Sequence, residues 1–251
     1  MTYCLAMRLD EGLLFLSDTR TNAGVDNVST YRKLHVFQPT PDRLFVVQSA
    51  GNLATTQEVL DRLELDLATG GEHENLATVE HLFEAALYLG RLSQEVASSH
   101  KPALNAVGAD GTATFILGGQ VGSDDADILL VYPEGNYIRA SDDRPFLQIG
   151  ESKYGKFLLD LAVRTHVDID TALKIALGSM VSTTRANLSV GPPYDAAVCR
   201  SDSFSLDEHR FTADSAILAE LEEVWTRHLL NAVSELPRLS LSELRLELPT
   251  S

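Results

Sequence analysis

The chain has 251 residues, 44% of them hydrophobic and 22% charged, which suits a folded domain with a substantial core and excludes a disordered or fibrous protein. Its 36 acidic residues outnumber 20 basic ones and leave a net charge of −16; such a field repels phosphate backbones and anionic lipid, so nucleic acid and membrane surfaces are excluded as expected partners. The first residues lack the basic and long apolar segments of a secretion signal, no apolar run approaches the roughly 18 residues of a spanning helix, and the two cysteines, Cys4 and Cys199, read as buried thiols in a reducing compartment, so a cytoplasmic location is expected.

Taken in chain order, residues 3–9 and 12–17 are apolar runs separated by Asp10-Glu11, the spacing of a tight β-hairpin. Residues 34–37 and 43–48 form a second strand pair around a proline-containing turn, and the stretch from Thr2 to Gly51 reads as a four-strand meander. Helical periodicity follows at Val59, Leu60, Leu63 and Leu67, and again at Val79, Leu82, Phe83, Ala86 and Leu87, with Gly70-Gly71 between the two helices. Strands are predicted over 113–120, 127–132, 137–140 and 146–150, then helices over 153–164 and 169–185. Strands over 194–200 and 208–211 precede a last helix over 214–234, which Asp214 is placed to cap. The tail from Leu239 to Leu248 alternates apolar and polar residues with one slip, as a strand with one buried face does; it could pack on its own domain or on a neighbouring subunit.

Runs of strands alternating with pairs of helices do not suggest a doubly wound parallel sheet. Two antiparallel sheets packed face to face and covered by helix pairs satisfy the order, in an α+β fold. No linker, charge block or repeat divides the chain, which reads as a single domain, 1–251, with 236–251 as a C-terminal extension.

The chemistry concentrates at the N-terminus. Met1 precedes Thr2, a small residue of the kind that permits removal of an initiator methionine. A free N-terminal threonine carries a hydroxyl nucleophile and an amine base on one residue, and an α-amino group with a pKa of about 8 is partly unprotonated near neutral pH. Many chains begin Met-Thr, so the dipeptide alone means little. Its context adds meaning: Asp18 heads the segment Asp18-Thr19-Arg20-Thr21-Asn22-Ala23-Gly24, Lys33 opens the next strand, and Gly51 stands where a strand turns into the first helix.

With these residues in this order the chain resembles the proteasome β-subunits, which are N-terminal-nucleophile hydrolases. It is closer still to the bacterial proteasome-like Anbu (ancestral β-subunit) family, which it resembles at Met1-Thr2-Tyr3-Cys4, Ser17 to Asp26, Ile149 to Lys156 and Asn187 to Pro193. The matches run over most of the chain.

That resemblance implies a four-layer αββα sandwich and a threonine-type peptidase acting through an acyl-enzyme, on a peptide or protein substrate. It also implies self-association into a ring or open ring. Thr2, exposed by loss of Met1, would be the nucleophile and its amine the proton acceptor. Lys33 would sit beside it, Asp18 would hold Lys33 charged and oriented, and the Gly51 N–H would receive the oxyanion. Two departures fall in the second half. Gly150-Glu151-Ser152 displaces a hydroxyl by one position, and Asn187-Leu188-Ser189 carries an amide where the proteasome has a carboxylate. Ser152 and Ser189 are still placed to help position Thr2, whereas Asn187 supplies no charge. A catalytically weak assembly or binding module of the same fold is therefore the alternative, and an amidase cutting small amides a third reading.

No cofactor or metal is expected. The seven histidines are scattered and make no H-E-x-x-H, and Asp124, Asp125 and Asp127 lack the glycine and glutamate of a calcium loop, so they read as a solvated acidic turn.

Overall fold

A computed structural model describes residues 1–22, 28–71 and 73–238. The expected tail strand over 239–248 lies outside the described residues, as does all but the first part of the 236–251 extension. The chain divides into two compact units, Met1–Ala213 and Asp214–Ser251.

The first unit is a mixed α+β structure with two five-stranded antiparallel sheets. Its strands are β1 (Tyr3–Leu9), β2 (Gly12–Asp18), β3 (Arg20–Asn22), β4 (Val28–Thr30), β5 (Leu34–Thr40) and β6 (Arg43–Gly51), followed by helices α1 (Leu53–Thr69) and α2 (Leu82–Ala106). Then come β7 (Ala113–Val121), β8 (Asp127–Val131), β9 (Tyr137–Arg139) and β10 (Phe146–Gly150), helices α3 (Lys153–Ala162) and α4 (Ile169–Ala186), and strands β11 (Tyr194–Arg200) and β12 (Leu206–Phe211). One sheet has the order β10-β1-β2-β11-β12 and the other β5-β6-β7-β8-β9; β3 and β4 form a separate ribbon.

The predicted four-strand meander is thus two hairpins in two different sheets. The free edge of β2 is taken by β11, with Tyr194 opposite Asp18, so β5 has no place beside it. The β3–β4 ribbon, which the sequence pattern did not reveal, spans the crossing between the sheets.

Strand alternation sorts the core. In the second sheet Leu44, Val46, Ile116, Ile128 and Leu130 join Cys4, Ala6, Leu13, Phe15, Leu147 and Ile149 of the first sheet in one buried cluster. Their neighbours Phe45, Val47, Phe115, Leu117, Leu129 and Val131 point the other way, into a cluster with Val59, Leu60, Leu63, Ala86, Leu89 and Val96 of α1 and α2. Both faces of these strands are therefore apolar, and the runs read as nearly continuous. Helix α4 packs on β1 and β2, with α3 beside it.

Asn52 caps α1, its side chain accepting from the Thr55 N–H at 3.2 Å. Gly70, with φ +64°, ends the helix as Gly70-Gly71 foretold. The second unit holds α5 (Ala216–Glu235). Its N-cap is Ser215 rather than the expected Asp214, and the Ser215 side chain makes no capping bond.

Candidate active site

The hairpin of β1 and β2 pairs Cys4 with Ser17, which brings Asp18 beside the first residues of the chain. The Asp18 carboxylate is wholly buried and accepts from the Tyr3 N–H at 2.9 Å through Oδ1. Its Oδ2 accepts from the Gly191 N–H at 3.3 Å. Lys33, one residue before β5, extends its ammonium to Asp18 Oδ1 at 2.6 Å and to the Arg20 carbonyl at 2.7 Å. The Lys33 carbonyl in turn accepts from the Ser49 N–H on β6, which seats Lys33 against that strand.

Gly51 ends β6 opposite Ala113 of β7 with φ +114°. A Cβ at this position would lie 2.4 Å from the Thr112 carbonyl oxygen, so both its dihedral and its surroundings require glycine. Met1, Thr2, Thr21, Arg32, Lys33, Ser49, Ala50, Gly51, Leu53, Thr56 and Gly150 line one cleft of about 550 Å³. Five separate segments of the chain thus contribute to a single cavity. Thr2, Lys33 and Gly51 face it together, and Asp18 lies buried behind Lys33.

The electrostatics follow from this packing. The terminal amine, here that of Met1, has its pKa lowered by burial and by the Lys33 ammonium, against an opposing pull from Asp18. Burial pushes the Asp18 carboxyl up, and the Lys33 charge and hydrogen bond and the two backbone N–H groups pull it back down. Burial also drives the neighbouring Cys4 thiol far up, so it holds its proton beside the site.

The remaining predicted site residues do not line the cleft but stand around it. Gly150 pairs with Tyr3, and the next residue, Glu151, donates its N–H to the Thr2 carbonyl at 2.7 Å. Ser152 precedes α3 and makes no side-chain cap; its N–H donates to the Gly150 carbonyl at 3.1 Å. Asn187 ends α4, gives its Nδ2 to Glu151 Oε2 at 3.0 Å, and accepts from the Ser189 N–H at 3.0 Å through Oδ1. Three contributors escaped sequence reasoning: Gly191 as a donor to Asp18, the Arg20 carbonyl as an acceptor for Lys33, and Glu151 as the partner of Asn187. Gly191 and Glu151 do lie inside the motif segments, but nothing in a linear pattern says which residue each one meets.

Elsewhere, the expected solvated acidic turn is only partly so. Asp127 lies in β8, mostly buried, and its carboxylate meets Arg139 and Arg8, while Asp124 bonds His81 at 2.8 Å. Among the described residues no cluster of His, Cys, Asp and Glu could hold a metal ion, and no helix is long and apolar enough to cross a membrane.

No protein-family model matches the chain, and no curated protein does. Solved structures do. Anbu (ancestral β-subunit) from Yersinia bercovieri is 44% identical over 96% of this chain and 100% of its own, with a TM-score of 0.87. Anbu from Pseudomonas aeruginosa, solved as a helical assembly of the Anbu complex, is 39% identical over 96% and 99%, with a TM-score of 0.90. A mutant Anbu from Hyphomicrobium sp. strain MC1 is 38% identical over 96% and 100%, with a TM-score of 0.88.

Proposed function

The chain belongs to the Anbu (ancestral β-subunit) family, and from that premise we propose that it is an N-terminal threonine peptidase whose nucleophile is Thr2 once Met1 is removed. The observation that carries the reading is the convergence of Thr2, Lys33 and Gly51 on one cleft, with Asp18 buried behind Lys33.

The chemistry runs as follows. Thr2 Oγ attacks the peptide carbonyl while its proton passes to the Thr2 amine, whose basic form is favoured by the same burial and Lys33 charge that act on the Met1 amine. The oxyanion of the tetrahedral intermediate meets the Gly51 N–H. Collapse breaks the C–N bond, the leaving amine takes the proton from the α-ammonium, and an ester to Thr2 remains. Water, deprotonated by the free amine, then cleaves the ester and regenerates Oγ–H. Asp18 and Lys33 act by fixing the field around the amine. Ser152, Asn187 and Ser189 act indirectly, through the loops that border Thr2.

The family premise also supports a four-layer αββα arrangement, a single catalytic domain over 1–251, a cytoplasmic location and a peptide or protein substrate. The helical assembly of the Pseudomonas aeruginosa relative supports self-association into a ring, open ring or helix of like subunits.

The test is intact-mass measurement of the protein after N-terminal sequencing and incubation with epoxyketones directed at N-terminal threonine. A chain beginning at Thr2 that gains one adduct, located on Thr2, is the expected result. A chain that retains Met1, or one beginning at Thr2 that gains no adduct across several probes, would favour the second reading, an assembly module without useful hydrolysis. That reading draws on Asn187, an amide that brings no charge of its own to the loop it begins.

A further inference from the structure

We infer that Glu151 is a positioning residue for the Thr2 centre, acting as a clasp between the loop after β10 and the loop after α4; the inference rests on the reading of Thr2 as nucleophile. Glu151 works with both ends. Its backbone N–H holds the Thr2 carbonyl at 2.7 Å, and its carboxylate accepts the Asn187 amide at 3.0 Å.

Asn187 then organises the loop it begins. Its Oδ1 accepts the Ser189 N–H at 3.0 Å and its carbonyl accepts the Val190 N–H at 3.0 Å. That loop delivers the Gly191 N–H to Asp18 Oδ2, and its Leu188 carbonyl takes the Arg20 guanidinium at 2.8 Å. The Arg20 carbonyl is the second acceptor for the Lys33 ammonium. One residue therefore ties the backbone of the nucleophile, through its own N–H, to the loop that fixes Asp18 and Lys33, through its carboxylate.

The residue types are interdependent. A carboxylate on one side and a backbone N–H on the other admit only one orientation of the Asn187 amide, Nδ2 toward Glu151 and Oδ1 toward Ser189. An aspartate at 187 would set two carboxylates about 3 Å apart, where both cannot stay ionised at low cost. The glutamate and the asparagine are thus one paired feature: the charge resides on Glu151, and the amide carries its hold across to the 187–191 loop through a charge-assisted bond.

The experiment uses the full chain and four variants: Glu151→Ala, Glu151→Gln, Asn187→Asp, and the exchanged pair Glu151→Gln with Asn187→Asp. Thermal unfolding verifies folding. Amide hydrogen exchange over Ser189–Gly191 reads the clasp without any reaction at Thr2, and the rate of Thr2 labelling by an epoxyketone reads the positioning. Glu151→Ala and Asn187→Asp should speed exchange and slow labelling about tenfold to a hundredfold, the range expected when a reacting group drifts by an ångström or less. Glu151→Gln keeps a neutral acceptor at Oε1 and should fall between wild type and Glu151→Ala in both readouts. The exchanged pair, with Gln donating to Asp, should recover both readouts relative to Asn187→Asp. An exchanged pair no better than Asn187→Asp, or Glu151→Ala unchanged in exchange, overturns the clasp. Faster exchange with unaltered labelling overturns its role toward Thr2. If the wild-type protein never labels, the peptidase reading falls, while the exchange measurements still decide the clasp.

Discussion

Lys33 Nζ stands 2.6 Å from Asp18 Oδ1, and neither side chain has more than a trace of exposure to solvent, at 5% and 0%. A buried pair of this kind adds little net stability over an apolar packing, yet it cannot lose one member cheaply, because the other is left charged without water or partner. Lys33→Met should therefore cost about 3–5 kcal/mol at neutral pH. Burial already raises the Asp18 pKa, and loss of the lysine removes the strongest opposing influence. For an acid whose folded pKa lies above its unfolded value of about 4, stability is fully present below that unfolded value and is lost as pH rises through the folded one. The deficit of the variant should thus shrink on acidification toward about pH 4. Urea unfolding between pH 4 and 7 measures it, and a deficit independent of pH would show that loss of Lys33 does not shift the Asp18 pKa.

The same two residues act on the terminal amine with opposite signs. In the form that retains Met1, Lys33 lowers the amine pKa and Asp18 raises it. Lys33→Met should move the amine upward, and Asp18→Asn should move it further down. The pH dependence of N-terminal acetylation, read by intact mass, reports both shifts. Parallel shifts in the two variants would mean that rearrangement, not charge, controls the amine.

The legible parts of this molecule are those written locally. Continuous apolar runs over β2, β6 and β7 announced strands, and Gly70 announced the end of α1. Ribbon β3–β4 escaped because two three-residue strands carry too little periodicity to read. Sheet membership escaped because it depends on β11 reaching back to β2, a pairing between distant parts of the chain. In the site, Thr2, Asp18, Lys33 and Gly51 could be named because each sits at a strand end within a motif. Contacts such as that of Glu151 with Asn187 join two loops and have no one-dimensional signature.

Tyr3 anchors the strand that presents Thr2. Its hydroxyl is wholly buried, accepts from Gln148 Nε2 at 2.5 Å and meets Ser179 Oγ at 2.7 Å; Ser179 donates onward to the Gly155 carbonyl, so the tyrosine must donate to Ser179. Tyr3→Phe strands the Gln148 donor and should cost about 1–2 kcal/mol. Burial pushes the Tyr3 pKa up to about 12. A folded pKa above the unfolded value of about 10 means that the contribution is complete below pH 10 and fades as pH rises toward 12. Wild type and variant should therefore unfold with a constant gap up to pH 10 that narrows above it. A gap that widens there would point to an ionised tyrosine in the folded protein.

Gly51 offers the most direct separation of stability from reactivity. Its φ of +114° lies where side chains are strained, and a methyl group would press on the Thr112 carbonyl, which is also the acceptor for the Asn52 N–H at 2.9 Å. Gly51→Ala should consequently push the β6–α1 turn away from β7 and cost about 1–3 kcal/mol, as overpacking commonly does. The Gly51 N–H moves with that turn. If that N–H receives the oxyanion, labelling of Thr2 should fall on the order of a hundredfold, the usual consequence of losing one such donor. Gly150→Ala supplies the comparison. There the methyl group would lie 2.0 Å from the Thr2 carbonyl oxygen, so it disturbs the nucleophile and leaves Gly51 in place. Both variants should be destabilised, but only Gly51→Ala should react normally with a small N-terminal aldehyde reagent that needs no oxyanion donor while failing with the epoxyketone. Equal loss toward both reagents in Gly51→Ala would place the defect at Thr2 itself and remove Gly51 from the mechanism.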